Sequence, residues 1–324
     1  MARVKTENGI GKRSTKPSTS GAITRTSSEW DPIPLNVRKA YKMYVGGAFI
    51  RSESGRYLQV AETMVRGERG KKENIPRGSR KDARDAVLAA HAAWGGWSKR
   101  AANNRGQILY RLAEMMDARS AELERSLEKG GVKADDAVRE VRAAIDRTIS
   151  FAGWCDKYQS LFASLNPVGG PHFDFTIPES LGVVVIAAPR RPALLGLVGA
   201  ILPVIAGGNS CIVLASEDDP RTAITFAEAL ATSDMPGGVV NILTGQQKEM
   251  LVPLARHQEV AGLDLHGLDA ALAREVGDLA ADTVKRVRVR SLSPEKWFDH
   301  EATTSPLLIE RFIELKTIWH PSGA

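Results

Sequence analysis

Residues 181–217, LGVVVIAAPRRPALLGLVGAILPVIAGGNSCIVLASE, decide the fold. Residues 183–186 form an unbroken β-branched run, which is typical of a strand covered on both faces of a parallel sheet. Residues 193–206 are apolar nearly all round and predict a buried helix, which ends at a Gly-Gly pair. Residues 211–214 form a second apolar strand. The stretch therefore predicts a βαβ unit whose first loop, residues 189–192, lies at the edge where open α/β sheets bind ligands.

The sequence after this unit repeats the alternation of helix and strand. Pro220 begins a helical pattern, and residues 239–243 form a third buried run. This order predicts an α/β fold with a doubly wound, Rossmann-like parallel sheet and right-handed crossovers. Helical patterns continue over residues 246–256 and 268–283. Residues 284–290, VKRVRVR, alternate valine with a cation, which favours a half-buried strand with a charged outer face over a phosphate-binding stripe.

The sequence ahead of the unit has a different period. Between residues 80 and 158, apolar residues recur at helical spacing and predict an N-terminal helical segment. Residues 42–60 have the pattern of a hairpin, and residues 66–79 that of a charged loop. Near the other end, residues 309–320 (IERFIELKTIWH) form a strand-like run.

Composition and charge limit the classes of function. The 324 residues carry a net charge of +6, and 43% are hydrophobic, enough for a sizeable core. Much of the positive charge lies in residues 1–30, which are rich in Ser, Thr and Lys and predict a disordered basic tail. Because this tail has no interleaved aromatic residues, we expect no nucleic-acid site. We assign residues 31–300 to one domain and residues 301–324 to a terminal strand.

Other features bear on location and metals. The chain has no apolar run long enough for a membrane span, and its start has no signal-peptide pattern. Its two cysteines, Cys155 and Cys211, are expected to be reduced core residues, which fits a cytoplasmic protein. The histidines show no metal-ligand spacing, so we expect no metal site. His266 is expected to be a surface loop residue rather than a phosphate ligand.

Several ordered motifs resemble the aldehyde dehydrogenase superfamily. They are YVGGAFIRSESG, PESLGVVVIAAP, AGGNSCIVLASEDDP and MPGGVVNILTG, in the family's order between residues 41 and 267. The ending IELKTIWHPSG resembles the family's terminal oligomerisation strand. A family-like start and end around a short middle is most similar to the degenerate second module of family 16 aldehyde dehydrogenases. The resemblance implies that the catalytic domain is missing.

The resemblance also implies which residues once served a cofactor. The family uses a cysteine nucleophile, an asparagine in the oxyanion hole, a glutamate base and a nicotinamide cofactor across the sheet edge. Arg190 and Arg191 stand where that loop has Trp and Asn, and Leu214 and Leu268 replace a ribose-binding Lys and a pyrophosphate-binding Ser. No counterpart of the catalytic residues is found. The vestigial cofactor-binding set implied by the alignment is Pro189, Arg190, Arg191, Glu217, Gly245 and Gly267.

Three functions remain open at this point. The first is a non-catalytic subunit that pairs through its terminal strand with itself or with a full-length aldehyde dehydrogenase. The second is an active oxidoreductase that uses NAD or NADP on an aldehyde or oxo group. The third is a nucleotide- or anion-binding regulatory module built on Glu217, Arg190 and Arg191. We expect no bound cofactor, or NAD or NADP if there is one.

Overall fold

A computed structural model describes residues 39–62 and 72–322 of the chain. The predicted basic tail, residues 1–30, lies outside the described residues, as do the first residues of the predicted domain. The strands of the described part are β1 (Met43–Val45), β2 (Ala48–Ile50), β3 (Tyr57–Ala61), β4 (Lys72–Pro76), β5 (Ser164–Asn166), β6 (His172–Ser180), β7 (Val183–Ala187), β8 (Ser210–Leu214), β9 (Val240–Leu243), β10 (Val260–His266), β11 (Arg286–Arg290) and β12 (Ile313–Pro321).

Helices separate most of these strands. They are α1 (Arg80–Ser98), α2 (Ala102–Ala118), α3 (Ser120–Lys129), α4 (Ala134–Trp154), α5 (Tyr158–Phe162), α6 (Leu195–Ala206), α7 (Pro220–Leu230), α8 (Gln247–Ala255), α9 (Ala270–Ala281), α10 (His300–Thr304) and α11 (Leu307–Glu310). A short 3-10 helix, Pro294–Phe298, follows β11. The predicted N-terminal helical segment corresponds to α1–α4.

The central sheet has the strand order β11-β10-β7-β8-β9-β1-β2. The strands from β11 to β9 run parallel, and the β1–β2 hairpin adds antiparallel strands at one side. From β7 the chain winds outward through β8 to β9, then returns to the other side of β7 to form β10 and β11. This is the doubly wound topology that the sequence predicts, with its switch point between β7 and β10.

Both faces of β7 are covered by apolar side chains, which explains its unbroken β-branched sequence. Val184 and Ile186 pack in the core on the α4 and α6 face, while Val183 and Val185 pack on the α1 and α8 face. Every residue of α6 is buried, as its sequence predicts. Because helices cover both faces of the sheet, a ligand would reach it at the loops that follow the strand ends.

Some local predictions are wrong. Residues 66–79 are not simply a loop, because β4 pairs antiparallel with β3 from Tyr57↔Pro76 to Ala61↔Lys72. The strand KENIP is mostly polar, so its sequence lacks the apolar alternation that marks a strand. The predicted terminal strand begins at Ile313 rather than at residue 309, since α11 occupies the residues before it. By contrast, β11 is half-buried as predicted, but its cations do not form an outer face: the Arg290 side chain is 15% exposed and binds Asp264, whereas Val289 is 54% exposed.

A second sheet has the order β12-β6-β5 and is antiparallel throughout. Its longest pairing runs from Ile313↔Ser180 to Pro321↔His172 without a register shift. None of the helices in the described ranges is long and apolar enough to cross a membrane.

Asn209 links the two sheets. Its Oδ1 accepts the backbone N–H of Gly182 at 2.8 Å, and its Nδ2 donates to the carbonyls of Val204 at 3.0 Å and Phe312 at 2.8 Å. Asn209 is fully buried, so water cannot replace these contacts. One amide group therefore fixes the end of α6 and the entries to β7 and β12.

Asn209→Ala is expected to lower the free energy of unfolding by about 3 kcal/mol, because it leaves buried backbone groups without partners. Urea denaturation followed by circular dichroism measures the change. Asn103→Ala, at an exposed position on α2, is the matched control and is expected to change stability by less than about 0.5 kcal/mol. Equal losses for the two variants would contradict the assigned role of Asn209.

Candidate functional site

The predicted cofactor residues all lie at the carboxyl edge of the parallel strands. Residues 189–191 follow β7, Glu217 follows β8, Gly245 follows β9 and Gly267 follows β10. Gly245 and Gly267 have positive φ values of 139° and 64°, which glycine adopts most easily. The fold therefore brings the predicted set to one edge, beside the topological switch point. What this edge can bind depends on the contacts that each side chain already makes.

Arg190 is engaged by two carboxylates. Its Nη1 lies 3.0 Å from Oδ1 of Asp218, and its Nη2 lies 3.3 Å from Oε2 of Glu217. The Arg190 side chain is 63% exposed, so these ion pairs are solvated and weak. They nevertheless offset the positive charge at the place where an anionic ligand would approach.

Arg191 points to a different part of the molecule. Its Nη2 donates to the carbonyl of Gly130, the residue that ends α3, at 2.6 Å. Arg190 and Arg191 are therefore adjacent in sequence but serve different partners. The structure does not bring the two guanidinium groups together as one anion-binding pair.

Glu217 lies at the N-terminus of α8. Its Oε1 accepts the backbone N–H of Gln247 at 2.7 Å. The Gln247 side chain in turn donates to the carbonyls of Ala188, Leu214 and Ala215 at 3.0–3.2 Å. Gln247 thus covers the ends of β7 and β8. Sequence reasoning missed this residue, because an isolated glutamine at a helix start carries no recognisable pattern.

Glu140 occupies the N-terminus of α6. This buried residue of α4 accepts the backbone N–H groups of Leu194 and Leu195 through Oε1, at 2.7 and 3.1 Å. Burial raises the pKa of the Glu140 carboxyl, although the two N–H donors and Arg191 oppose the rise. Sequence reasoning missed Glu140 as well, since its contact depends on how α4 packs against α6.

Asp269 occupies the N-terminus of α9. Its Oδ1 accepts the backbone N–H of Leu272 at 2.8 Å. An Asp just before a helical pattern is a recognisable capping signal, so this contact could have been predicted. Together with Glu140 and Glu217, it means that α6, α8 and α9 each begin at an acidic side chain of the same chain.

A buried polar cluster lies at the ends of β10 and β11. Oδ2 of Asp264 lies 2.5 Å from Nη2 of Arg290 and 3.0 Å from Nε2 of His266. Burial alone would raise the pKa of Asp264, but His266 and Arg290 outweigh it and hold the pKa at about 2. The His266 ring packs on Trp297, with 5.3 Å between ring centroids.

The expected surface position of His266 is wrong, because the residue is only 3% exposed. It is the last residue of β10 and shares the sheet face of Asp264, two positions earlier. The polar residues at alternate positions in VAGLDLH gave a signal for this shared face.

Both cysteines are buried free thiols, as predicted. Burial raises the pKa of Cys155 to about 12 and also raises that of Cys211. Neither thiol is on a strand-end loop at the candidate site: Cys155 ends α4, and Cys211 lies within β8. Within residues 39–62 and 72–322, no group of three His, Cys, Asp or Glu side chains could hold a metal ion.

Comparison with known proteins places this fold among aldehyde dehydrogenases. The structure is similar to an aldehyde dehydrogenase from Brucella melitensis biovar abortus 2308, with a TM-score of 0.72 and 21% identity. That match covers 78% of this chain and 51% of the other. A point mutant of Staphylococcus aureus betaine aldehyde dehydrogenase, solved in complex with NAD+, gives a TM-score of 0.71, 21% identity and the same coverage of both chains. At such identity these matches show the fold alone.

Sequence comparison finds relatives that are dehydrogenases. Hydroxyisobutyraldehyde dehydrogenase of Mycolicibacterium austroafricanum is 32% identical over 250 residues, which are 76% of this chain and 48% of that protein. Human cytosolic 10-formyltetrahydrofolate dehydrogenase is 29% identical over 257 residues, 78% of this chain and 28% of its own length. The chain thus spans half or less of these curated relatives.

The family model described as "Aldehyde dehydrogenase family" matches residues 52–291, most of the chain. The matched region contains the whole parallel sheet and the loops at its carboxyl edge. The resemblance that the ordered sequence motifs indicate is confirmed at the level of the superfamily. This chain belongs to the aldehyde dehydrogenase family.

Proposed function

We propose that this chain is a non-catalytic member of its family, a folded subunit that assembles with itself or with a full-length aldehyde dehydrogenase. One observation carries the proposal. Of the four helices that begin at the carboxyl edge of the sheet, three, α6, α8 and α9, have their N-termini occupied by Glu140, Glu217 and Asp269.

These acidic groups do not fit the pyrophosphate of a nicotinamide cofactor. A helix N-terminus binds phosphate through free N–H groups and the positive end of the helix dipole. Here some of those N–H groups already donate to a carboxyl group of the chain. A pyrophosphate would have to displace that group and remain beside its negative charge. We therefore assign no reaction step to NAD or NADP.

This chain also lacks a cysteine suited to the nucleophilic attack on the aldehyde that the family uses. A cysteine nucleophile must be accessible and must reach the thiolate form near neutral pH. Cys155 and Cys211 are the two cysteines of the sequence, and both are buried with raised pKa values. This argues against an active oxidoreductase that works alone.

The anion-binding alternative is weakened by the arginines themselves. Arg190 is paired with Glu217 and Asp218, and Arg191 donates to the carbonyl of Gly130. A regulatory anion would have to compete with both sets of contacts. Neither arginine offers a preorganised site.

The assembly part of the proposal is supported by β12. This strand lies at the edge of its sheet, and Leu315 and Trp319 on it are 56% and 60% exposed. Exposed edge strands with apolar side chains favour sheet extension between chains.

The first test is cofactor binding. Calorimetric titration of the purified chain with NAD+ and NADP+ is expected to show no saturable binding tighter than about 1 mM. Aldehydes together with either cofactor are expected to give no increase in NADH or NADPH absorbance. An active aldehyde dehydrogenase treated identically is the positive control. Saturable micromolar binding or measurable turnover would overturn the non-catalytic assignment.

Thiol reactivity gives an independent test. Because burial suppresses ionisation, neither Cys155 nor Cys211 is expected to react with Ellman's reagent in the folded protein. Both are expected to react once guanidinium chloride unfolds the chain, which serves as the internal control. Rapid labelling of one thiol in the folded protein would show that an accessible nucleophile exists.

The Glu140 contact predicts a pH dependence of stability. Since its pKa is raised on folding, the folded protein keeps a proton on Glu140 where the unfolded chain has lost it. The stability gained from this proton is full below the ordinary pKa of 4.5 and is lost as pH rises through the folded pKa. Glu140→Gln keeps an oxygen for both N–H donors but cannot ionise. Relative to Glu140→Gln, the native chain is therefore expected to lose stability as pH rises above 4.5.

Urea denaturation at a series of pH values measures this difference. Glu275→Gln, at an exposed position on α9, is the control and is expected to follow the native chain at every pH. A constant difference between the native chain and Glu140→Gln across the range would contradict the assigned burial of Glu140.

A further inference from the structure

The free edge of β12 has a backbone pattern that can be read from its pairing with β6. The N–H of Leu181 donates to the carbonyl of Phe312, and the N–H of Ser322 donates to the carbonyl of Pro171. Both contacts follow the unbroken register of the β12–β6 pair. In an antiparallel ladder, residues at every second position direct their N–H and C=O groups to the same neighbour. Even-numbered residues from 312 to 322 therefore face β6.

The odd-numbered residues of β12 consequently face the other edge. Leu315, Thr317 and Trp319 each direct an N–H and a C=O away from β6. Within the described part of the chain, no strand pairs with this edge. Thr317 is the midpoint of β12, which runs from Ile313 to Pro321.

We infer that β12 pairs antiparallel with β12 of a second copy of this chain, with the two-fold axis at Thr317. This inference rests on the proposed assembly role and specifies its contact. The pairing joins the two small sheets into one continuous sheet with the order β5-β6-β12-β12-β6-β5. Because the axis lies at the midpoint, all of β12 overlaps with its counterpart.

The backbone groups at the ends of β12 fit this register. Ile313 lies opposite Pro321 of the second copy, and a proline has no N–H to donate. The carbonyl of Ile313 does not need that donor, because it already accepts from Nη1 of Arg286. The inner residues, from Leu315 to Trp319, supply both groups at each outward position.

The side chains on β12 are complementary in the same register. On one face, Leu315 lies opposite Trp319 of the second copy, so two exposed apolar side chains cover each other. On the other face, Glu314 lies opposite His320 of the second copy. Moving the axis by one residue to Lys316 would place two lysines directly opposite each other, which is unfavourable.

Site-specific cross-linking tests the register. Two single variants, Glu314→Cys and His320→Cys, are prepared separately, mixed and oxidised. Residues 314 and 320 form a pair without backbone hydrogen bonds across the new contact, with Cα atoms about 4.5 Å apart, within the reach of a disulfide. Within either variant alone, the two introduced thiols lie six positions apart along the strand, about 20 Å. The native thiols are buried and do not compete.

The expected result is a covalent dimer in the mixture and none in either variant alone. Light scattering of the native chain is recorded alongside. A non-covalent dimer without the specific cross-link would overturn the register while leaving the proposed assembly intact. A native chain that stays monomeric alone but binds a full-length aldehyde dehydrogenase would overturn self-pairing and retain the proposed function. Cofactor turnover would overturn the proposed function and leave the cross-linking result unaffected.

A backbone variant provides a second readout. The N–H of Thr317 faces the free edge, so Thr317→Pro removes a donor from the contact between copies but none from the β12–β6 ladder. It is expected to weaken the dimer at least about tenfold while the chain remains folded. Thr317→Ala is the matched control, because it loses the hydroxyl contact with Thr176 but keeps the N–H. A dimer equally stable in both variants would contradict the pairing.

Discussion

Strand β7 is buried on both faces and paired on both edges, and this constraint organises the molecule. Its backbone requires β8 on one side and β10 on the other, and its β-branched side chains require helices on each face. The chain meets these requirements by winding outward through α6 and α7, then returning through α8 and α9. Each crossover ends its strand at the same edge. Five loops therefore lie at that edge because the chain must cover β7, and this placement does not depend on the sequences of the loops.

Contacts between helices, strands and loops determine which side-chain groups at this edge are already hydrogen-bonded. Glu140 reaches the start of α6 from α4, and Glu217 reaches the start of α8 from the loop after β8. Each contact ties a helix to a segment distant in sequence, because each carboxyl group accepts a backbone N–H at the start of that helix. Gln247 adds three hydrogen bonds to strand-end carbonyls. The helix N-termini and strand-end carbonyls that could bind a ligand in such a fold instead form hydrogen bonds within this chain.

The parts of this structure that sequence could predict are those with local patterns. The apolar runs of β7, α6 and β8 reveal a buried βαβ unit, since burial on all sides leaves no polar positions. The loop residues of the candidate site follow from these strand ends. By contrast, β4 is polar and becomes a strand only through pairing with β3. The contacts of Glu140 and Gln247 depend on packing geometry, and no local pattern records them.

The β11 edge of the central sheet and the β12 edge of the smaller sheet differ in charge pattern, and this difference bears on how two chains could pair. On β11, valine alternates with Arg286, Arg288 and Arg290, so an approaching copy of β11 would bring like charges together. The edge strand β12 is longer, and Glu314 and Lys316 on it have opposite signs. Edge strands that carry a row of like charges resist pairing, whereas a mixed and partly apolar edge permits it. The β11 edge of the central sheet is therefore less suited to extension by a second chain than the β12 edge of the smaller sheet.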